Sequence, residues 1–154
     1  MSGSFQTFSS PSGHIESTKV LMFNDTNNKA EAIGKVKLIL ANKTKIYADN
    51  IKADFTGKAK TLQKAIAKGN VIIENNYKGK KSKADLGIYN SYNETIELRG
   101  NVVIINQGST IIGSQGITNI KTGTSKITGN PSKRERVKGM FSPTKKSKKG
   151  DKSE

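Results

Sequence analysis

Cysteine and tryptophan are absent from these 154 residues, and histidine occurs once, at His14. Without cysteine there is no disulfide framework and no Cys/His zinc site. A single histidine offers no metal cluster either, so neither metal nor cofactor is expected. No apolar run approaches the roughly 20 residues that a membrane helix needs. No Gly-rich phosphate loop and no Gly-x-Ser-x-Gly elbow occurs, so an enzyme is not expected. Proline is scarce: Pro11, Pro131 and Pro143 leave residues 12–130 with nothing to break a strand ladder. Leucine is scarce too, at 6 residues against 23 Ile and Val. β-branched side chains suit pleated surfaces better than helices, so the chain reads as all-β. Only 32% of it is hydrophobic, which predicts a thin core in one domain.

Acidic residues number 12 against 27 Lys and Arg, a formal charge of +15. The excess is unevenly placed. From Pro131 onward nine basic residues face three acids, a net +6, which leaves +9 on residues 1–130. Residues 145–154 contain nothing apolar and cannot offset their own ordering entropy. Residues 131–154 are therefore expected to form a largely disordered basic tail. Val137, Met140 and Phe141 are apolar enough for one last short strand within it. Residues 1–14 are Ser- and Gly-rich and are expected to be a flexible lead-in, with His14 a solvated histidine. No basic segment followed by an apolar one opens the chain, so no secretory signal is read there. A cytoplasmic protein and a mature exported chain both remain open on composition.

Between these ends the sequence repeats. Gly34-Lys35-Val36-Lys37-Leu38 is followed by Gly69-Asn70-Val71-Ile72-Ile73, then by Gly100-Asn101-Val102-Val103-Ile104, with a worn copy at Gly129-Asn130. The spacings of 35, 31 and 29 residues indicate stacked structural units. A second element sits between them: Tyr47-Ala48-Asp49-Asn50-Ile51, then Lys83-Ala84-Asp85-Leu86-Gly87-Ile88-Tyr89. Asn27-Asn28, Asn75-Asn76, Asn93-Glu94 and Lys121-Thr122-Gly123 are turn chemistry. Counted from each glycine, even offsets hold Ala32, Val36 and Leu38; Ala67, Val71 and Ile73; and Ile96, Leu98, Val102 and Ile104. Odd offsets are mainly charged. Side chains alternate faces along a strand, so the even set shares one buried face. Ile33, Ile39, Ile66, Ile72, Val103 and Ile105 leave the outer face more apolar than solubility requires. The recurring glycine is expected to bend each long strand, so that the sheet folds over itself.

The basic excess raises nucleic acid as a partner. The body's basic residues are scattered over outward positions instead of forming a stripe. Tyr77, Tyr89 and Tyr92 sit in no cold-shock or RNP signature, so no nucleic acid is expected. The acids fall mostly on outward positions or in turns, as solvated counter-charge.

The unit 83–90 with 96–104, together with Ala65-Ile66-Ala67-Lys68-Gly69-Asn70-Val71, resembles the OstA-like family of lipopolysaccharide export proteins. The likeness spans about residues 15–130. The sequence departs from the family's pattern at Ser17-Thr18, where Ala-Asp is usual, at Lys35 in place of Asn, and at Gly113-Ser114-Gln115-Gly116. The resemblance implies an open, twisted, V-shaped β-jellyroll with no catalytic site, working in the periplasm. It implies that lipopolysaccharide acyl chains lie between the sheets and are carried toward the outer membrane. The implied partners are the lipid A portion of lipopolysaccharide, an LptC-like inner-membrane protein and an LptD-like outer-membrane protein. Copies of the chain are also implied to join head to tail. Two alternatives stay open: an LptC-like or LptD-N-terminal-like member of the same system, and a basic nucleic-acid-binding β protein. On this reading the groove is lined by Val36, Leu38, Ile51, Phe55, Val71, Ile73, Leu86, Ile88, Leu98, Val102, Ile104 and Ile112.

Overall fold

A computed structural model describes residues 6–75, 80–129 and 138–140. Eleven strands form: β1 (Gln6–Ser10), β2 (Gly13–Ser17), β3 (Val20–Asn24), β4 (Lys29–Leu40), β5 (Lys45–Thr56), β6 (Thr61–Glu74), β7 (Lys80–Asn90), β8 (Thr95–Asn106), β9 (Ser109–Asn119), β10 (Ser125–Thr128) and β11 (Lys138–Met140). No helix forms among the described residues. The strands make one antiparallel sheet in the order β1-β2-β4-β5-β6-β7-β8-β9-β10, with β3 also on β4 and β11 also on β9. Asparagine sets several of the reversals. The side-chain carbonyls of Asn24, Asn42, Asn90 and Asn119 accept from backbone N–H groups two or three residues on. That local bond gives the backbone an alternative to the ladder at the point where it must turn.

The pairing register slips at the bend in every long pair, and β5–β6 slips once more between Asp54 and Phe55. The slips at the bend fall between Ile33 and Val36 on β4, Lys68 and Val71 on β6, and Arg99 and Val102 on β8. Each contains a glycine followed by one residue, both at positive φ: Gly34 and Lys35, Gly69 and Asn70, Gly100 and Asn101. The expected bend is thus a line of bulges crossing the sheet, and the line divides it into two walls. The first wall holds β3, residues 29–33, 50–56, 61–68, 86–90, 95–99 and 115–119, and β10. The second holds β1, β2, residues 36–40, 45–48, 71–74, 80–84, 102–106 and 109–113, and β11.

The walls face each other. Among the described residues, twenty-two hydrophobic ones are 6% exposed or less and form a single core cluster. A sheet with no helix to cover it reaches that burial only by packing on itself. Contacts across the bulge line agree. A Cβ on Gly87 of the first wall would lie 3.2 Å from Val71 of the second, and one on Gly116 would lie 3.3 Å from Val102. The sheet folds over itself as the repeat predicts, and the result is the open, twisted, V-shaped jellyroll that the resemblance implies.

Residues 6–14, expected to be a flexible lead-in, instead form β1 and the start of β2. Backbone pairing holds β1 on β2, and Phe8 stacks on Phe23 of β3 at 5.0 Å. A short strand does follow Pro131, at β11, while the expectation for residues 145–154 lies outside the described residues.

Candidate functional site

The two sequence elements of the repeat meet at the bulge line. The Asn70 amide donates to the Asp49 carboxylate at 3.0 Å, and the Asn101 amide donates to Asp85 at 2.8 Å. The carboxylate lies against the glycine of the same bulge: a Cβ on Gly100 would sit 2.7 Å from an oxygen of Asp85. Glycine is needed for the φ of +81° and for this approach. Asparagine is the non-glycine residue that best tolerates the left-handed region beside it. Ala-Asp and Gly-Asn are therefore one clamp between neighbouring strands. The first unit departs at both halves together. Thr18 takes the carboxylate's place, with its hydroxyl 2.8 Å from the Cβ position of Gly34, and Lys35 replaces the asparagine. On β9, Ser114 follows Gly113 as Asp85 follows Ala84 on β7.

Inside the V, nine of the twelve sequence-predicted groove residues share the interior. Val36, Ile51, Val71, Leu98 and Val102 flank the bulge line and are 1% exposed or less. Leu38, Ile73, Ile104 and Phe55 continue toward the free ends of the walls. The other three lie on the outer face, which corrects the sequence reading. Leu86 pairs with exposed Lys68 and Arg99, Ile88 with Ile66 and Glu97, and Ile112 with Val103. The reason is the bulge on the partner strands. On β4, β6 and β8 the inward set steps by four residues across the bend (Ala32 to Val36, Ala67 to Val71, Leu98 to Val102), and alternation keeps its parity. On β5, β7 and β9 it steps by three (Ala48 to Ile51, Ala84 to Gly87, Gly113 to Gly116), and parity flips. Ile46, Ala48, Leu62, Ala84, Ile96 and Ile120 are also buried in the interior. Residues Ile33, Ile39, Ile66, Ile72, Val103 and Ile105 are half-buried on the outside, as their odd offsets predict.

The mouth of the V lies between the far turns of the two walls and is nearly closed. Phe8, Phe23 and Phe55 fill its β1–β3 end, with ring centroids 5.0–6.0 Å apart. The Ser12 hydroxyl in the β1–β2 turn accepts from the Leu62 backbone N–H at 3.0 Å, tying the second wall to the first. At the other end Lys80 of the second wall donates its ammonium to the Gly123 carbonyl in the β9–β10 turn. Lys80 is buried, and desolvation holds its pKa below the usual lysine value. Among the described residues no carboxylate pairs with it. Thr44, on the same rim, is fully buried with its hydroxyl unpartnered. Tyr89 lines the first wall, and burial, with the Glu94 carboxylate nearby, raises its pKa. Sequence alternation could not reveal these ties, because each joins a turn to a strand end of a different hairpin.

The remaining titratable groups are dispersed. His14 is not solvated alone: its ring bonds the Ser9 hydroxyl and, at 3.0 Å, the Glu16 carboxylate. Those three sit on the outer face of the β1–β2 hairpin, because Ser9 pairs with His14 across the strands and Glu16 is two residues on. No group of three or more potential metal ligands occurs among the described residues.

The sequence model of a family described as LptA/(LptD N-terminal domain) LPS transport protein matches residues 14–124. No curated protein matches the chain in sequence. Among solved structures, a similar fold is the crystal structure of LptH from Pseudomonas aeruginosa, described as the LptA-homologous periplasmic component of the lipopolysaccharide transport device. It superposes with a TM-score of 0.70 at 13% identity, covering 84% of this chain and 94% of that one.

Proposed function

Since this chain belongs to the LptA/LptD N-terminal-domain family of lipopolysaccharide transport proteins, we propose that it holds lipopolysaccharide acyl chains between its two walls and carries or bridges the lipid across the periplasm. The observation that carries this reading is an apolar interior continuous from one end of the sheet to the other, closed at its mouth by few polar contacts. Val36, Leu38, Ile51, Phe55, Val71, Ile73, Leu98, Val102 and Ile104 are the lipid-lining residues. Burying acyl chain is worth roughly 0.8 kcal/mol per CH₂, so a twelve-carbon chain gains about 10 kcal/mol gross. That is enough to hold lipid without specific polar contacts.

Opening the mouth is made easier by what closure costs. A neutral tie such as that of Ser12 is worth about 1 kcal/mol net. Lys80 and Thr44 both lose hydration while the walls are shut, and both regain it when the walls part. The turns at the mouth carry Lys43, Lys58 and Lys121, all exposed. These lysines recruit the phosphates of lipid A. Exposed charge acts over roughly 8 Å at physiological salt, so it orients the headgroup more than it anchors it. The family is one of transport proteins, and no chemical step is assigned to this chain. Its partners are LptC-like and LptD-like proteins at the two membranes, and copies of the chain join end to end by strand addition at the sheet edges.

The absence of tryptophan provides a clean test. Phe55→Trp places the only indole in the interior, and Tyr92→Trp places it on a residue that is 94% exposed. Lipopolysaccharide with brominated acyl chains is expected to quench Phe55→Trp strongly and to leave Tyr92→Trp unchanged. Equal quenching of both, or none at position 55, would contradict the reading.

A further inference from the structure

The two ends of the sheet differ in a way that bears on how copies join. At the N-terminal end, β4 shares its outer edge between β3 on the first wall and β2 on the second, and β1 adds beyond β2. The second wall therefore runs one strand further than the first. At the C-terminal end, β9 shares its outer edge between β10 on the first wall and β11 on the second. Here the walls are level, and only because β11 is present. Without β11 the second wall would stop one strand short of the first, a step complementary to the one at the N-terminal end.

Strand length and direction agree with this step. β11 offers three residues, paired with Thr110, Ile111 and Ile112, whereas β1 offers five. Each adjacent pair in the sheet is antiparallel, so β2 and β9 run the same way and β1 and β11 both run opposite to them. In a second copy laid end to end, β1 meets β9 antiparallel but meets β11 parallel. On the first wall, β10 and the second copy's β3 run in opposite directions and continue the ladder antiparallel with nothing removed. The strands at these edges also carry exposed apolar side chains. Ile111 and Ile112 are each 37% exposed, and Val20 and Met22 of β3 are 39% and 51% exposed.

We infer that β11 is a displaceable cap: it occupies the slot on β9 that β1 of a second copy of this chain fills. The chain thereby covers its own C-terminal edge until another copy's N-terminal end replaces β11. The inference rests on the end-to-end reading above and adds the element that controls it. Phe8 of β1 pairs with Ile15 on the interior side, so the exchanged strand would extend the apolar interior from one copy to the next.

The test uses the full chain and sedimentation over a range of concentrations. Gly139→Pro disrupts the middle of β11, opposite Ile111, and leaves the residues of β1 and β9 unaltered. It is expected to associate at about tenfold lower concentration than the unaltered chain, because the competent form is no longer a minor fraction. Because the chain has no cysteine, Ile111→Cys with Gly139→Cys tests the converse. The oxidised pair is expected to stay monomeric and to associate on reduction. Thr7→Pro in β1 is expected to abolish association while β11 stays seated. If the unaltered chain associates and Gly139→Pro associates no better, β11 is not a cap and the end-to-end reading survives. An oxidised pair that associates freely would likewise mean that β11 is not a cap. If Thr7→Pro associates normally, β1 is not the displacing strand. If neither the unaltered chain nor Gly139→Pro associates at any concentration, the end-to-end reading fails and the cap falls with it.

Discussion

Gly100→Ala is expected to lower stability by about 2–4 kcal/mol, and Gly57→Ala by only about 1 kcal/mol. The two glycines share a left-handed backbone, at φ of +81° and +75°. A side chain at either therefore carries the conformational penalty, which is about 1–2 kcal/mol. They differ in surroundings. The new Cβ at position 100 would lie 2.7 Å from the Asp85 carboxylate and 3.1 Å from its Cβ, whereas at position 57 nothing lies within 4 Å. Asp85 cannot move aside without giving up its bond from Asn101. The difference between the two variants isolates the clamp from the backbone penalty, and urea midpoints measure it directly. Equal losses in both would mean that the clamp contributes nothing and that the bulge is a matter of φ alone.

Leu98→Ala is expected to destabilise by about 2–5 kcal/mol, while Leu86→Ala stays within about 1 kcal/mol. The residue type and the truncation are the same, so the contrast measures the face. Leu98 is 0% exposed and lies in the shared core, where the walls are pinned from both sides and collapse poorly around a void. Leu86 stands outside among Lys68 and Arg99. Comparable losses in the two variants would mean that β7 alternates straight through its bend and that the assignment of its outer face is wrong.

That contrast also marks how far the sequence could be read. Fold class, repeat and bend were legible because Ile and Val outnumber Leu and because Gly recurs with Asn at near-constant spacing. The inward set on β4, β6 and β8 was legible because two left-handed residues in succession leave alternation in phase. On β7 the inward residue after the bend is Gly87, whose missing side chain makes room for Val71 of the other wall. Hydrophobic pattern favours the flanking Leu86 and Ile88, so it chooses the wrong face. Ile112 fails similarly: Ile111 and Ile112 are equally apolar, and only pairing of Ile111 with Ile104 tells them apart. The mouth was not legible at all. Lys80 reads as one more solvated lysine until the β9–β10 turn is placed against it, and Ser12 reads as a turn residue until Leu62 arrives from fifty positions away. In the sequence, Ser17-Thr18 and Lys35 are two separate departures from the family's pattern. In the structure they are the two halves of one altered clamp, with Thr18 against Gly34.

Chemistry that depends on one face only is the sharpest check on the lipid interior. A photo-crosslinking residue at Val102, which is fully buried inside the V, and one at Asn101, which is exposed on the outer side of the bulge, differ by a single position in sequence. Illumination with lipopolysaccharide present is expected to give a lipid adduct at 102 and none at 101. Equal labelling at both positions, or labelling at 101 alone, would contradict the account.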